Sequence, residues 1–280
     1  MKKIIRLGFT ETTLLFIHWY ENISNDKNKS THYKIINLKK NMINWLYTTS
    51  GYYDKTIIYN YMNVKHENDI DPETYNKYFE ILLNFVKEAD LFVCGIHYDK
   101  NNDEYKQFIK YLNVKSSYTY DIFYSIVKNR KILIISPFAE LFKKQFDSGN
   151  CKLIDNDFPD IKKIYYYTNI YTFFNNGPHN NILETVNYLF ADILSKINDN
   201  YDLVLISAGA YSNLLANKFY DYGKDVYTMG AELQKFFGVL NNREKSKMNL
   251  NVINKNLWIV DIPNEYKPID YEKIENGCYW

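Results

Sequence analysis

Short apolar runs alternate with amphipathic stretches along the chain, and this pattern predicts strands that alternate with helices. Leu203 to Ile206 is a continuous apolar run, as in a parallel strand covered on both faces. Similar runs predict strands at residues 2–5, 91–96, 131–136, 161–168 and 257–262. Helical spacing and start signals predict helices at residues 10–23, 72–89, 120–127, 137–146 and 182–197, a helical piece at 41–47 and a surface loop at 99–106.

This alternation is typical of an α/β protein with a mainly parallel, Rossmann-like sheet and helices on both faces. No repeat, low-complexity tract or clear linker interrupts the pattern. We therefore predict one domain over residues 1–280, with lobes at roughly 1–128 and 129–280. In such a sheet the ligand binds at the carboxyl ends of the strands.

Four junctions between a predicted strand and the following helix contain small or polar residues: Arg6–Glu11, Ser136–Phe138, Ala208–Tyr211 and Gly230–Gln234. Unpaired N–H groups and the positive end of the helix dipole favour a phosphate at such a junction. A tight turn that only needs small residues is the alternative for each of them. Because parallel strands end at the same edge of a sheet, we expect the four junctions to converge on one site.

The charge balance gives no reason to expect a nucleic acid partner. The chain has 34 Lys and Arg residues and 33 Asp and Glu residues, scattered along its length, so it lacks a basic stripe. Cys94, Cys151 and Cys278 share no metal or redox spacing, which indicates a reducing compartment. No apolar run approaches the roughly 20 residues of a membrane span, and the N-terminus does not resemble a signal peptide, so we expect a cytoplasmic protein.

Arg6 and Glu11 flank the first junction and carry the chemistry that a sugar nucleotide needs. A guanidinium group can hold a diphosphate, and a carboxylate can bind a metal, accept a proton or orient a sugar hydroxyl. The alternative is an exposed Arg and a Glu that merely stabilises a helix N-terminus. The chain has no Walker lysine motif, GxGxxG, HExxH or GxSxG, which argues against P-loop NTPases, dinucleotide enzymes, zincins and α/β-hydrolases.

Further candidates lie near the other junctions. Glu232 and Gln234 begin a predicted helix and can face the same edge, although a Glu in a first turn is also simply stabilising. Tyr211 can stack on a base or sugar, or only pack. Arg243 can fold over phosphates or belong to a solvated loop, and His179 in a predicted loop is a candidate for acid–base chemistry.

Five motifs in order along the chain resemble those of a known family: RLGFTE (6–11), ISPF (135–138), SAGAYSNLLA (207–216), MGAELQKFFGVLNNR (229–243) and ENGCYW (275–280). The corresponding family patterns are R-x-G-x-x-E, S-P-F, G-A-Y-G-x-x-L-A, G-G-x-L-Q-x-x-F-G-I-x-G-x-R and E-x-x-C-Y-W. They belong to an uncharacterised branch, found in bacteria and giant viruses, of the glycosyltransferases of the GT-D type. Together the motifs span almost the whole chain.

The resemblance implies a Rossmann-like sheet and transfer of a sugar from a nucleoside diphosphate donor, often UDP-linked, to a glycan or glycoprotein acceptor. Glu11 and Glu232 are the predicted catalytic carboxylates, and a viral protein would act in the host cytoplasm. The predicted donor site consists of motif and junction residues: Arg6, Gly8, Thr10, Ser136, Gly209, Ala210, Tyr211, Gly230, Gln234 and Arg243.

The chain departs from the better known GT-D enzymes in two of the motifs. Better known GT-D enzymes have Asp-Gly-Glu in the first motif, where this chain has Phe9, Thr10 and Glu11, and a His where it has Ala231. A Mn²⁺ or Mg²⁺ ion would thus keep Glu11 as its one matching ligand. A catalytically silent nucleotide-sugar or glycan-binding protein is the alternative function, and a phosphorylase-like or nucleoside-processing enzyme is a third.

The 275–280 segment, which contains Cys278, Tyr279 and Trp280, is aromatic to its end. Burial of an aromatic side chain contributes on the order of 2 kcal/mol. We therefore predict that this segment docks on the protein, on the acceptor side of the site.

Overall fold

The predicted fold class, an α/β protein with a Rossmann-like parallel sheet, is confirmed. The computed structural model describes residues 1–24, 72–87, 89–93, 102–114, 120–172, 178–179, 181–198, 200–250, 252–273 and 275–280. The strands within these ranges are β1 Lys3–Leu7, β2 Asp90–Val93, β3 Lys131–Ile135, β4 Lys163–Tyr167, β5 Leu203–Ile206 and β6 Asp225–Thr228. The helices are α1 Phe9–Asn22, α2 Pro72–Val86, α3 Asp103–Tyr111, α4 Tyr120–Val127, α5 Ala139–Asp147, α6 Asn150–Ile154, α7 Ile182–Lys196, α8 Tyr211–Asp221, α9 Glu232–Phe236 and α10 Asn242–Lys245.

The chain forms two compact units, each assembled from three separate segments. Unit 1 consists of residues 1–118, 172–192 and 209–228, and unit 2 of residues 119–171, 193–208 and 229–280. The units are therefore discontinuous along the sequence.

Unit 1 contains three parallel strands in the order β2-β1-β6. Strand β1 pairs with β2 up to Leu7, opposite Val93, but its paired residues with β6 are only Lys3 and Ile4. The helices of this unit form an aromatic core in which Phe16 of α1 packs on Phe108 of α3 with 5.4 Å between ring centroids. Beyond the paired residues, the backbone N–H of Arg6 in β1 donates to the Thr228 side chain of β6 at 2.9 Å.

Unit 2 contains three parallel strands in the order β5-β3-β4. Its central strand β3 is buried from Ile132 to Ile135, which explains the uninterrupted apolar run. The helices of this unit pack through phenylalanines. Phe142 of α5 stacks on Phe237, and the ring centroids of Phe158 and Phe236 of α9 are 4.8 Å apart. Each unit is thus a small α/β assembly with an apolar core of its own.

Two predictions of local structure are wrong, and a short helix was missed. The 99–106 stretch is not a loop throughout, because α3 begins at Asp103, where Asn102 caps the helix and accepts a hydrogen bond from Tyr105 N. No strand forms at 257–262, where the one bridge is that between Val239 and Ile259. The short helix α6 was not predicted, since its few residues carry no full period of apolar positions.

The remaining strands and helices for which a range was predicted lie within a few residues of it, whereas the short helix α10 was not predicted. The helical piece at 41–47 falls outside the described residues. Among the helices that the structure describes, none is long and apolar enough to cross a membrane.

Candidate functional site

The first predicted junction, in unit 1, joins β1 to α1 through Gly8. Gly8 is extended at the helix N-cap, and its carbonyl accepts hydrogen bonds from Thr12 N at 3.0 Å and Thr12 Oγ1 at 2.7 Å. A Gly cap has no side chain to bond the first N–H groups of the helix. The positive end of α1 therefore lies at the carboxyl end of β1.

Glu11 is the third residue of α1, and its carboxylate lies over Gly8. A Cβ added at Gly8 would collide with Glu11 Oε2. A glutamate at the third helical position is favoured by the dipole and can also reach back to the N-cap, as in a capping box. The site for the Glu11 carboxylate thus depends on the absence of a side chain at residue 8.

Arg6 lies near the carboxyl end of β1, and Glu11 follows it along the chain in the first turn of α1. Its backbone N–H donates to Thr228 Oγ1 at 2.9 Å. Its half-buried guanidinium group makes no hydrogen bond or ion pair with any residue that the structure describes. A cation that is held at a strand end without an internal partner is suited to an anionic ligand.

The third predicted junction begins α8, also in unit 1. Gly209 adopts a positive φ of 56°, which only glycine adopts readily, and a Cβ there would meet nothing within 4 Å. The positive φ, and not close packing, explains why residue 209 is a glycine. Ala210 and Tyr211 are buried, and the carbonyl of Ala210 accepts a hydrogen bond from Tyr78 OH at 3.1 Å. Tyr211 is thus largely packed in the core, and packing was the alternative to stacking on a base or sugar.

Two polar residues that sequence reasoning did not select connect these junctions. Thr228 ends β6 and Asn213 lies in the first turn of α8, and their exposed fractions are 1% and 3%. Thr228 Oγ1 lies 3.1 Å from Asn213 Oδ1. The ends of β1 and β6 and the start of α8 are therefore joined by buried hydrogen bonds around Thr228.

The second junction lies in unit 2, where Ser136 follows β3. Ser136 is fully buried, its N–H donates to Tyr167 O at 3.1 Å, and its Oγ accepts a hydrogen bond from Phe138 N at 3.2 Å. The junction at Gly230 is also held internally, since Ser207 Oγ donates to Gly230 O at 2.8 Å. Both serines stabilise turns between a strand and a helix.

Gln234 and Arg243 are occupied by the 275–280 segment. Gln234 is 1% exposed, donates from Nε2 to Tyr279 O at 3.0 Å and accepts at Oε1 from Asn241 Nδ2 at 2.9 Å. The guanidinium group of Arg243 lies 3.2 Å from Cys278 Sγ and 5.0 Å from the centre of the Tyr279 ring. These two predicted donor-site residues therefore bind the protein's own chain.

The predicted docking of the 275–280 segment is confirmed. Trp280 is 5% exposed, and its Nε1 donates to Tyr171 OH at 3.4 Å. Its ring packs near those of Phe138, Tyr171 and Tyr271. Its location on the acceptor side stays a prediction.

Two remaining candidates lie apart from these contacts. Glu232 starts the short helix α9, is half-buried and forms no hydrogen bond or ion pair within the described part of the chain. His179 Nδ1 lies 3.1 Å from Thr185 Oγ1, and its ring lies 4.8 Å from that of Tyr188. The histidine is thus held at the start of α7 by local contacts.

The described residues do not fit a metal site formed by the protein alone. They contain no group of three or more His, Cys, Asp or Glu side chains that could hold an ion. Cys151 and Cys278 are not in a disulfide bond, and Cys94 lies outside the described residues. Burial raises the pKa of the Cys151 thiol to about 12, so that it is protonated at neutral pH.

The structure places the predicted site residues in both units. Arg6, Gly8, Thr10, Glu11 and Gly209–Tyr211 belong to unit 1, and Ser136, Gly230, Glu232, Gln234 and Arg243 belong to unit 2. Their convergence on one site stays a prediction. The chain matches no protein-family model, no curated protein and no solved structure.

Proposed function

We propose that this protein is a glycosyltransferase that moves a sugar from a nucleoside diphosphate donor of the UDP-linked class to a glycan or glycoprotein acceptor.

The observation that supports this proposal most is the guanidinium group of Arg6. Arg6 is near the carboxyl end of β1, shortly before Gly8, which gives α1 no side-chain cap, and its guanidinium group has no partner among the described residues. A diphosphate is the ligand class that combines the negative charge and the acceptor oxygens such a group binds. The sugar chemistry itself rests on the five motifs and their resemblance to GT-D enzymes.

The proposed reaction is displacement at the anomeric carbon. A hydroxyl oxygen of the acceptor forms the new bond to this carbon, and the bond to the β-phosphate oxygen breaks. The nucleoside diphosphate leaves with the electron pair, and Arg6 and the helix N–H groups stabilise its charge. The proton of the acceptor hydroxyl passes to a carboxylate, for which Glu11 and Glu232 are the candidates.

A divalent cation is not required by this account. Glu11 is the one carboxylate at the β1–α1 junction that matches the family's metal ligands, and a Mg²⁺ ion is usually bound by one or two carboxylates together with phosphates of the substrate. A metal contact of Glu11 therefore stays a prediction, and no step is assigned to a metal.

The second candidate is a nucleotide-sugar or glycan-binding protein without catalysis. It is favoured by Phe9 and Ala231, which replace functional side chains of the family, and by the location of Glu11 over Gly8, which a capping role explains.

A ligand screen tests the proposal. Nucleotide sugars are added with and without Mn²⁺ or Mg²⁺, and thermal unfolding and nucleotide release are measured. A donor at about 100 times its Kd should stabilise the protein by about 2.7 kcal/mol. Stabilisation by no donor would overturn both candidates, and stabilisation without transfer to any acceptor would favour the binding protein.

The variant Arg6→Met tests whether UDP binds at the β1–α1 junction. We expect it to weaken UDP binding about tenfold or more, since a hydrogen bond to a charged group contributes about 1.5–3 kcal/mol, with little change in the stability of the free protein. Arg130→Met is the matched control. It removes the same charge and a hydrogen bond from Arg130 to Asp202 O, and should lower stability without changing UDP affinity. Equal UDP affinity in Arg6→Met and the unmodified protein would contradict the role of Arg6.

A further inference from the structure

Asn213 is a buried amide in the first turn of α8 for which the proposed reaction has no role. Its exposed fraction is 3%, and its Oδ1 lies 3.1 Å from the hydroxyl oxygen of Thr228. Buried amides normally have partners for both their oxygen and their nitrogen. The Nδ2 atom of Asn213 has no acceptor in the part of the chain that the structure describes.

The single hydroxyl hydrogen of Thr228 determines how this amide is oriented. Thr228 Oγ1 already accepts a hydrogen bond from Arg6 N at 2.9 Å, so its own hydrogen is available for one acceptor. The two acceptors within reach are Asn213 Oδ1 at 3.1 Å and Arg6 O at 3.4 Å. The shorter contact assigns the hydrogen to Asn213, which fixes Oδ1 toward Thr228 and turns Nδ2 away from it.

The released Nδ2 group lies at the N-terminus of a helix of 11 residues. The N-cap residue, Ala210, has no side-chain group that could cap this helix. The dipole of α8 favours negative charge at this end, and a neutral amide N–H adds a donor in the same region. Both features select an anion with acceptor oxygens.

We propose that Asn213 Nδ2 donates a hydrogen bond to a phosphate oxygen of a diphosphate ligand, and that Thr228 is the positioning residue that fixes its orientation. This inference rests on the anion-binding part of the proposed function. It adds a ligand contact on α8, and it explains why a polar side chain is buried at the end of β6. Through Arg6 N, the same threonine also holds the strand end that carries the Arg6 guanidinium group.

Titrations with UDP and with inorganic pyrophosphate test the inference on the full chain. Isothermal calorimetry measures Kd, and the side-chain amide resonance of Asn213 is followed by NMR in the unmodified protein. We expect this resonance to shift with both ligands. Asn213→Asp replaces the donor by an acceptor of equal size and should weaken pyrophosphate binding about tenfold or more. The exposed Asn187→Asp on α7 introduces the same charge and should leave Kd within about twofold.

The role of Thr228 is tested by a pair of variants. Thr228→Val removes the hydroxyl group and should weaken pyrophosphate binding, whereas Thr228→Ser keeps it and should restore the affinity. If all folded variants bind pyrophosphate as the unmodified protein does and the Asn213 resonance does not move, the inference is overturned, even where UDP binds. If pyrophosphate binding depends on Asn213 but no nucleotide sugar binds, the inference holds and the glycosyltransferase proposal fails. Binding of neither ligand overturns both.

Discussion

The polar side chains at the strand ends of unit 1 and of unit 2 differ in what they bind. In unit 1 the guanidinium group of Arg6 and the Nδ2 group of Asn213 have no partner among the described residues. In unit 2 the side chains of Gln234 and Arg243 bind the 275–280 segment. All four belong to the motifs that resemble the GT-D family, so the motifs alone do not separate ligand contacts from structural ones.

The difference indicates a division of roles that can be tested. Side chains whose hydrogen bonds are satisfied inside the protein contribute to stability, and their removal leaves buried partners unsatisfied. Side chains without an internal partner contribute little to stability and are available to a ligand. Variants of the unit 2 side chains that bind the 275–280 segment should therefore change mainly stability, and variants of Arg6 and Asn213 in unit 1 should change mainly ligand binding.

The largest effect is expected at Trp280. Trp280→Ala should lower the free energy of unfolding by about 3–5 kcal/mol, because it empties a buried site lined by Phe138, Tyr171 and Tyr271. Denaturant unfolding measures this change. Trp280→Phe keeps a ring and should be much milder. Unchanged stability after deletion of residues 275–280 would contradict a structural role for the segment.

Alkaline pH should weaken the same region. Burial raises the pKa of Tyr171 to about 12, although the hydrogen bond from Trp280 lowers it, whereas an unfolded Tyr titrates near 10. The neutral phenol is thus favoured in the folded state. Its contribution is fully present below about pH 10 and is lost as the pH rises toward 12, by up to roughly 2–3 kcal/mol.

The comparison of two phenylalanine variants assigns this alkaline effect to a unit. Tyr171→Phe should reduce the fall in stability between about pH 10 and 12, measured by chemical unfolding at each pH. Tyr105→Phe is the counterpart in unit 1, where burial also raises the pKa to about 12. If Tyr171→Phe unfolds with the same pH dependence as the unmodified protein, Tyr171 is not the group that titrates.

Gln234→Ala should lower the free energy of unfolding by about 1–3 kcal/mol, since it leaves the Tyr279 carbonyl and the buried Asn241 amide without their partner. Thermal unfolding measures the loss, and UDP titration below the unfolding range decides the role. Unchanged UDP affinity supports a structural glutamine, and a fall in affinity that is absent in the neighbouring Lys235→Ala supports its predicted place in the donor site.

The fold was predictable because its signals are local. Apolar runs such as Leu203–Ile206 and the helical spacing after Asp71 identify strands and helices from neighbouring residues alone. The 103–111 helix was missed because its polar first turn resembles a loop, although Asn102 is a good cap. The apolar 257–262 stretch forms one bridge, between Ile259 and Val239, instead of a strand.

The candidate site was predictable only as a set of positions. Arg6 and Arg243 are both predicted anion-binding residues, yet Arg6 lacks a side-chain partner among the described residues and Arg243 binds Cys278 and Tyr279. Which partner a side chain meets depends on residues far away in the sequence. Thr228 and Asn213 were missed for the same reason, because a buried polar pair becomes visible only when β6 and α8 are placed together.

The smallest change in stability is expected at Gly8. Its φ of −70° is accessible to alanine, so Gly8→Ala should alter stability by less than about 1 kcal/mol. The added Cβ would nevertheless collide with Glu11 Oε2 and displace this carboxylate. If Glu11 acts in catalysis, transfer should fall while UDP affinity and thermal stability stay nearly constant. Full transfer activity in Gly8→Ala would indicate that Glu11 only caps the helix, and Glu232 would then be the candidate catalytic base.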